Sequence, residues 1–324
     1  MTRLLALALA LALLAGACGN DTDTAGPPPI TPVAERLAAD PDAPADEWVA
    51  GVNGAGWGFH ETLEGNAVSS PVSIGVAFSL ARAGASPDTG TVLDDIFGFP
   101  ADDPHGAANA VDLALEASSV DPTTLEVANR LFPDDDFSPL DAFLETAATT
   151  YGATIQPVDT ADGEQAAAIV NGWVSETTRG LIPTIVNAGA VQDQELVLVN
   201  TVYLKADWAE PFLAELTEDG EFTTADGSTV TTPFMRDREP MPRRFVRLDG
   251  ADAVELPYEG DELAMWLVVP HDDDGLAAVE ASLDAGAIAR FGETAEQGTV
   301  DLTLPTWEQT LPPTDLFEWL CPLG

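Results

Sequence analysis

The chain has 324 residues, 45% of them hydrophobic, with 55 Asp plus Glu against 12 Lys plus Arg and a formal net charge of −43. Length and apolar share allow one large domain or two ordinary ones with a sizeable core. The charge argues against nucleic acid and anionic membrane surfaces as partners, since both would repel it; acidic residues spread this evenly read as a solvated shell suited to salty surroundings.

Residues 1–17, MTRLLALALALALLAGA, hold an early Arg3 and an apolar run too short to span a bilayer, which fits the core of a signal peptide. Ala15, Gly16 and Ala17 precede Cys18, a pattern similar to a bacterial lipobox with its usual leucine displaced to Leu14; the same residues also suit ordinary A-x-A cleavage. Both readings place the protein outside the cytoplasm, either lipid-anchored to the membrane through Cys18 or secreted. With Cys18 lipidated, Cys321 has no intrachain partner. Residues 18–46 contain Pro27, Pro28, Pro29, Pro32, Pro41 and Pro44 with several Asp, and predict a stiff tether. Residues 47–324 then form the domain.

Trp48, Val49, Val52, Phe59 and Leu63 predict a first helix, weakened by Gly51, Gly54, Gly56 and Gly58, whose spacing matches no phosphate-binding loop. Ser70-Pro71 predicts the start of a helix over 69–85. Helices follow over 91–97 and 107–117, then a strand at 124–132 (TLEVANRLF), a helix over 139–151 closing at Gly152, extended chain at 154–157, and a helix over 163–174 with a stop at Gly180. The run 195–212 (ELVLVNTVYLKADWAEPF) opens as a nearly uninterrupted apolar strand, predicted to lie mid-sheet with both faces covered, yet it carries Asn200. A buried Asn needs partners or costs roughly 1–3 kcal/mol. Residues 222–234 predict a hairpin turning at Asp226-Gly227. Strands are expected at 243–248, 253–257, 263–270 and 299–305, and helices over 275–291 and from 314. With no 20–50-residue repeat, the class is α+β.

Taken in order, SSPVSIGVAFSLARAGA, LEVANRLF, VNGWVSETTRGLIPTIV, ELVLVNTVYLKADWAEPF, AVELPYEGDELAMWLVVP and VDLTLPTWEQT resemble successive motifs of the serpin family, from about Trp48 onward. The departures are small: Thr201 for Ala, Ala206 for Gly, Ala264 for Ser and Thr306 for a basic residue. The resemblance implies a fold of three mostly antiparallel or mixed sheets and about eight or nine helices. It implies inhibition of a serine or cysteine protease by a bait loop that inserts, once cleaved, as a new strand into the large sheet. Ser70, Ser73 and Asn200 would share a polar network where that sheet opens, and Trp208 would lie near the point of entry. The family's hinge, bait loop and last strands find no match before Gly324. The chain as it stands is therefore expected to lack a reactive centre and to leave the far edge of the strand at 195–204 unpaired. A non-inhibitory binding scaffold on the cell surface, or a degenerate fragment, is the alternative.

No enzyme is expected: His60, His105 and His271 are the only histidines, and no nucleophile elbow, H-E-x-x-H or C-x-x-C occurs. No cofactor is expected. The acidic turns PDDDF and HDDDG lack EF-hand spacing and read as solvated, so no metal is assigned. The protein is expected to be a monomer.

Overall fold

A computed structural model describes residues 34–311 and 316–323; the expected signal peptide, Cys18 and the first part of the expected tether lie outside the described residues. Before residue 47 the chain is already fastened to the domain. Arg36 pairs with Asp112 and Glu116, its Nε donates to Asn109 Oδ1 at 3.2 Å, and Leu37 N donates to Thr149 O at 2.7 Å.

Four helices come first: α1 (Ala45–His60), α2 (Pro71–Gly84), α3 (Pro87–Phe97) and α4 (Pro104–Ala117). The last three begin alike. Ser70, Ser86 and Asp103 each accept from the backbone N–H three residues on, and proline follows each cap, where its missing N–H costs nothing. In α1, Trp48, Val52, Ala55 and Phe59 form one buried stripe at helical spacing. Its glycines, which weaken the helix by propensity, have a packing reason at Gly51: a Cβ there would sit 2.2 Å from Gly98 O. Helices α1 and α3 therefore cross with their backbones nearly touching. Helix α3 stops at Gly98 with φ +60°, in the left-handed region that glycine adopts without penalty.

The first sheet has the order β2-β1-β3, from β1 (Thr124–Pro133), β2 (Thr154–Ile155) and β3 (Leu196–Lys205), with α5 (Asp141–Tyr151), α6 (Gly163–Thr177) and the single turn α7 (Ala188–Val191) between them. Strands β1 and β3 run antiparallel over ten facing pairs, from Thr124 opposite Lys205 to Pro133 opposite Leu196. Side chains of β3 alternate between the faces. Leu196 and Leu198 pack on the core shared by α1, α2 and α5, whereas Val197 and Val199 pack on the core under α6. The position expected for β3 is corrected here. Its apolar run predicts a mid-sheet strand, but among the described residues it pairs with β1 alone, which leaves its far edge unpaired as the resemblance implies. Helices cover both faces, and that covering, not a second hydrogen-bonded neighbour, accounts for the unbroken hydrophobicity.

The second half builds two further sheets. Strands β4 (Glu218–Thr223) and β5 (Thr229–Arg236) form the expected hairpin, with Gly227 at φ +80° and Asp226 Oδ1 accepting from Ser228 N and Thr224 Oγ1; those hydrogen bonds lower the Asp226 carboxyl to about 2. Strands β6 (Met241–Leu248), β7 (Ala251–Pro257) and β8 (Ala264–Pro270) form a meander. Two expectations fail in this half. The helix expected over 275–291 is split into α8 (Leu276–Glu280) and α9 (Ala287–Thr294), because Ser282 Oγ and Asp284 Oδ1 bond to nearby backbone and offer it an alternative to the helix. The strand expected at 299–305 is two strands in different sheets: β9 (Glu296–Val300) joins β6, and β10 (Thr303–Pro305) joins β5. Between them Leu302 exchanges hydrogen bonds with Asp237, accepting from its N–H and donating to its carboxylate. The 3-10 turn Ala214–Leu216 and a last turn of helix, α10 (Phe317–Leu320), complete the described elements. The expected α+β class with three sheets is the architecture found.

Candidate functional site

Helix α2 points its first turn at the middle of β3. Ser70 Oγ caps the helix, accepting from Ser73 N at 3.3 Å, and Ser73 Oγ donates to Asn200 Oδ1. The other end of the Asn200 amide, Nδ2, donates to Asn129 Oδ1 at 2.9 Å, directly across the sheet on β1. Asn129 Nδ2 in turn donates to the backbone oxygen of Tyr151, at the end of α5, at 3.1 Å. One continuous hydrogen-bonded chain thus joins the start of α2, both long strands and the end of α5. Asn129 is 5% exposed and Tyr151 2%, so these groups have protein rather than water for partners.

The structure therefore brings together three of the four residues singled out from the sequence: Ser70, Ser73 and Asn200. Trp208 lies apart, beyond the end of β3, and stacks on Tyr258 with ring centres 4.6 Å apart and planes 10° from parallel. There it lines a cavity of about 660 Å³ with Phe212 and Met235, rimmed by Asp207, Glu259 and Asp261. Asn129 and Tyr151 were not anticipated. Asn129 could have been: an amide inside the apolar alternation of LEVANRLF is the same signal that marked Asn200.

A second polar group backs onto the first. Tyr151 Oη lies 2.6 Å from His105 Nδ1 on α4, and His105 Nε2 lies 3.5 Å from Arg82 Nη1 on α2. Arg82 forms a two-pronged pair with Asp94 of α3, which raises the guanidinium above its usual range. Burial pushes the Tyr151 hydroxyl well above the ordinary phenol value, so it stays protonated. Burial first, and then Arg82, hold His105 below the ordinary histidine value.

On the opposite face of the sheet, Thr201 Oγ1 bonds Thr177 Oγ1 at 3.1 Å, and Arg179 lies over the Tyr203 ring at 4.4 Å while donating to Glu126. These contacts fasten α6 and the segment after it across β1 and β3.

The PDDDF turn places carboxylate oxygens of Asp134, Asp135 and Asp136 within 4.8 Å of one another. Asp134 Oδ2 already accepts from Thr160 N and Oγ1, so the turn is held by its own bonds. Cys321 is an exposed free thiol.

The hydrogen-bonded chain from Ser70 to the Tyr151 carbonyl is a positioning network. It holds two strands in register by a polar chain that any strand separation must break. Its setting matches known proteins. The model of the serpin family (serine protease inhibitor) matches residues 59–322. Leukocyte elastase inhibitor of Xenopus tropicalis is 34% identical over 251 residues, covering 75% of this chain and 67% of its own length. Antithrombin-III of Mus musculus is 32% identical over 226 residues, covering 67% of this chain and 48% of its own. Among solved structures, a cleaved serpin 42Da superposes with a TM-score of 0.77 at 29% identity, covering 86% of this chain and 77% of that one. Reactive-loop-cleaved human thyroxine binding globulin superposes with a TM-score of 0.77 at 22% identity, which speaks for the fold alone. The chain spans about half to two thirds of the length of the curated relatives it matches.

Proposed function

Because the chain belongs to the serpin family, we propose that it is the scaffold of a protease inhibitor that works by admitting a cleaved bait segment as a new strand beside β3. The observation that carries this reading is the free edge of β3. Among the described residues its backbone pairs only with β1, so one row of N–H and C=O groups is available to an incoming strand. Leucine and valine side chains alternate onto the cores on both faces, so an added strand there would extend an existing apolar layer. The chain Ser73–Asn200–Asn129–Tyr151 supports a role for Ser70, Ser73 and Asn200 where the sheet opens: it holds β3 on β1 and α2 while the other edge of β3 receives a strand. Trp208 is assigned to the end of β3, where insertion would begin. The family's description, serine protease inhibitor, points to serine proteases as targets.

The bait itself finds no match in residues 1–324, so these residues alone are assigned the receiving part of the mechanism. Incubated with a panel of serine and cysteine proteases, the 324-residue protein is expected to yield no SDS-stable complex; one such complex would refute that assignment. Reading the codons downstream of Gly324 tests the inhibitor assignment itself: a hinge and bait in either frame support it, and unrelated sequence overturns it. We further assign an extracytoplasmic location, with the monomeric protein exported by residues 1–17 and anchored by lipid on Cys18. Lipid labelling that Cys18→Ala abolishes supports the anchor; labelling that persists, or never occurs, overturns it.

A further inference from the structure

His105 has two hydrogen-bonding faces, and its neighbours allow one assignment of its proton. Arg82, 3.5 Å from Nε2, is a donor and cannot accept, so Nε2 must be the accepting nitrogen. The proton of a neutral ring therefore sits on Nδ1, which donates to Tyr151 Oη at 2.6 Å. Ser79 is a further hydrogen-bonding neighbour of Tyr151, and its Oγ accepts from Trp48 Nε1 at 3.0 Å. With the opposite tautomer an Nε2–H would face a guanidinium N–H, and neither would have an acceptor. The groups facing His105 come from every element around it: Arg82 on α2, Asp94 on α3, Asp103 at the start of α4, and Tyr151 on α5. Asp112 also bears on Tyr151.

We propose that His105 is a proton-operated latch on the junction beneath the first sheet: neutral, it ties α2 to α5 through Arg82 and Tyr151, and on protonation it releases them. A second proton can enter only at Nε2, where it creates an N–H aimed at Arg82 and places two cations side by side. Asp103 and Asp94 offset part of this repulsion, but burial and Arg82 outweigh them, and both oxygens of Asp94 are already bound to Arg82. The strain is transmitted because the backbone oxygen of Tyr151 is the acceptor for Asn129, the last member of the Asn200 chain. Acid thus loosens the polar chain between β1 and β3 from behind, without touching either strand.

The sign follows from linkage. Burial and Arg82 hold the folded-state value of His105 below the unfolded value of about 6.5. The unfolded state therefore binds more protons over this range, and the stabilisation present above pH about 6.5 is lost as pH falls below it. That the latch bears on strand insertion rests on the inhibitor reading above; its existence does not.

The test uses the 324-residue protein. Imidazole nitrogen NMR, assigned by His105→Gln, should show His105 with its proton on Nδ1, a titration midpoint below about 6.5, and a rise in that midpoint in Arg82→Met. Hydrogen exchange, corrected for intrinsic rate, should speed several-fold in 124–133 and 196–205 between pH 7.5 and 5.5, and His105→Gln should remove that response. An Nε2–H tautomer, a midpoint that Arg82→Met leaves in place, or the same exchange response in His105→Gln overturns the latch. Should His105→Gln not fold, the tautomer in the native protein and the Arg82→Met shift still decide. None of these results depends on whether a protease is trapped.

Discussion

Asn129 and Asn200 face one another across β1 and β3, and the Nδ2 of Asn200 donates to the Oδ1 of Asn129 at 2.9 Å. Each amide is used at both ends, Asn200 by Ser73 and Asn129 by the Tyr151 carbonyl. Cutting the chain at either amide therefore strands a polar group that water reaches poorly. Asn200→Ala is expected to cost roughly 1–3 kcal/mol in urea unfolding. Combined with Asn129→Ala it should cost clearly less than the sum of the two single changes, because both remove the same bond. Strict additivity would show that the two amides act independently.

Gly51 and Gly54 lie in the same helix and should respond oppositely to alanine. A Cβ on Gly51 meets Gly98 O at 2.2 Å and Phe97 O at 2.6 Å, both backbone atoms, whereas nothing lies within 4 Å of one on Gly54. Gly51→Ala is expected to destabilise by about 1–3 kcal/mol or more through overpacking. Gly54→Ala should stabilise by about 0.5–1 kcal/mol, since alanine is the better helix former. Thermal melts of the two variants check this; a neutral Gly51→Ala would contradict the close crossing of α1 and α3.

Arg36 holds the segment before α1 against α4. Asp112 is 1% exposed, and burial raises its carboxyl even though Arg36 lies against it. Arg36→Ala removes the countercharge and should cost about 3 kcal/mol at neutral pH. A carboxyl raised in the folded state destabilises as pH rises through its folded value, so the penalty should be smaller at pH 4 than at pH 7. Equal penalties at both pH values would remove Asp112 as the cause.

Arg243 and Asp237 form a buried pair at 2.6 Å, with side chains 4% and 6% exposed. Asp237 also bonds Leu302, one of the two residues between β9 and β10, so it ties the β5 and β6 sheets together. Asp237→Ala leaves a buried guanidinium unpaired and is expected to cost about 3–5 kcal/mol. Replacing both residues with apolar ones of similar size should cost much less. Urea unfolding of the single and double variants distinguishes the two outcomes.

Some of this was legible in the residues. Ser70-Pro71 marks a helix start because capping acts within four residues of chain; Ser86-Pro87 and Asp103-Pro104 carry the same signal and start their helices a few residues ahead of the expected 91 and 107. Asp226-Gly227 marked its hairpin for the same local reason, and Asn200 announced a polar junction by interrupting an apolar run. The partners of Asn200 were not legible from local pattern, since Ser73 and Asn129 lie 127 and 71 residues away. Nor was the division of 299–305 between two sheets, which hangs on Asp237, 65 residues from Leu302.

The amino-acid sequence by itself determined most of the helices and strands, the α+β class and the family, because caps, turns and periodicity are short-range properties written into neighbouring residues. Only the tertiary structure decided that Asn200 is held by Ser73 and Asn129, that Trp208 stands apart from the serine–asparagine chain, and that His105 faces an arginine which dictates its tautomer. These depend on which distant side chains packing brings within about 3 Å, the range over which hydrogen bonds act, and no local pattern encodes that.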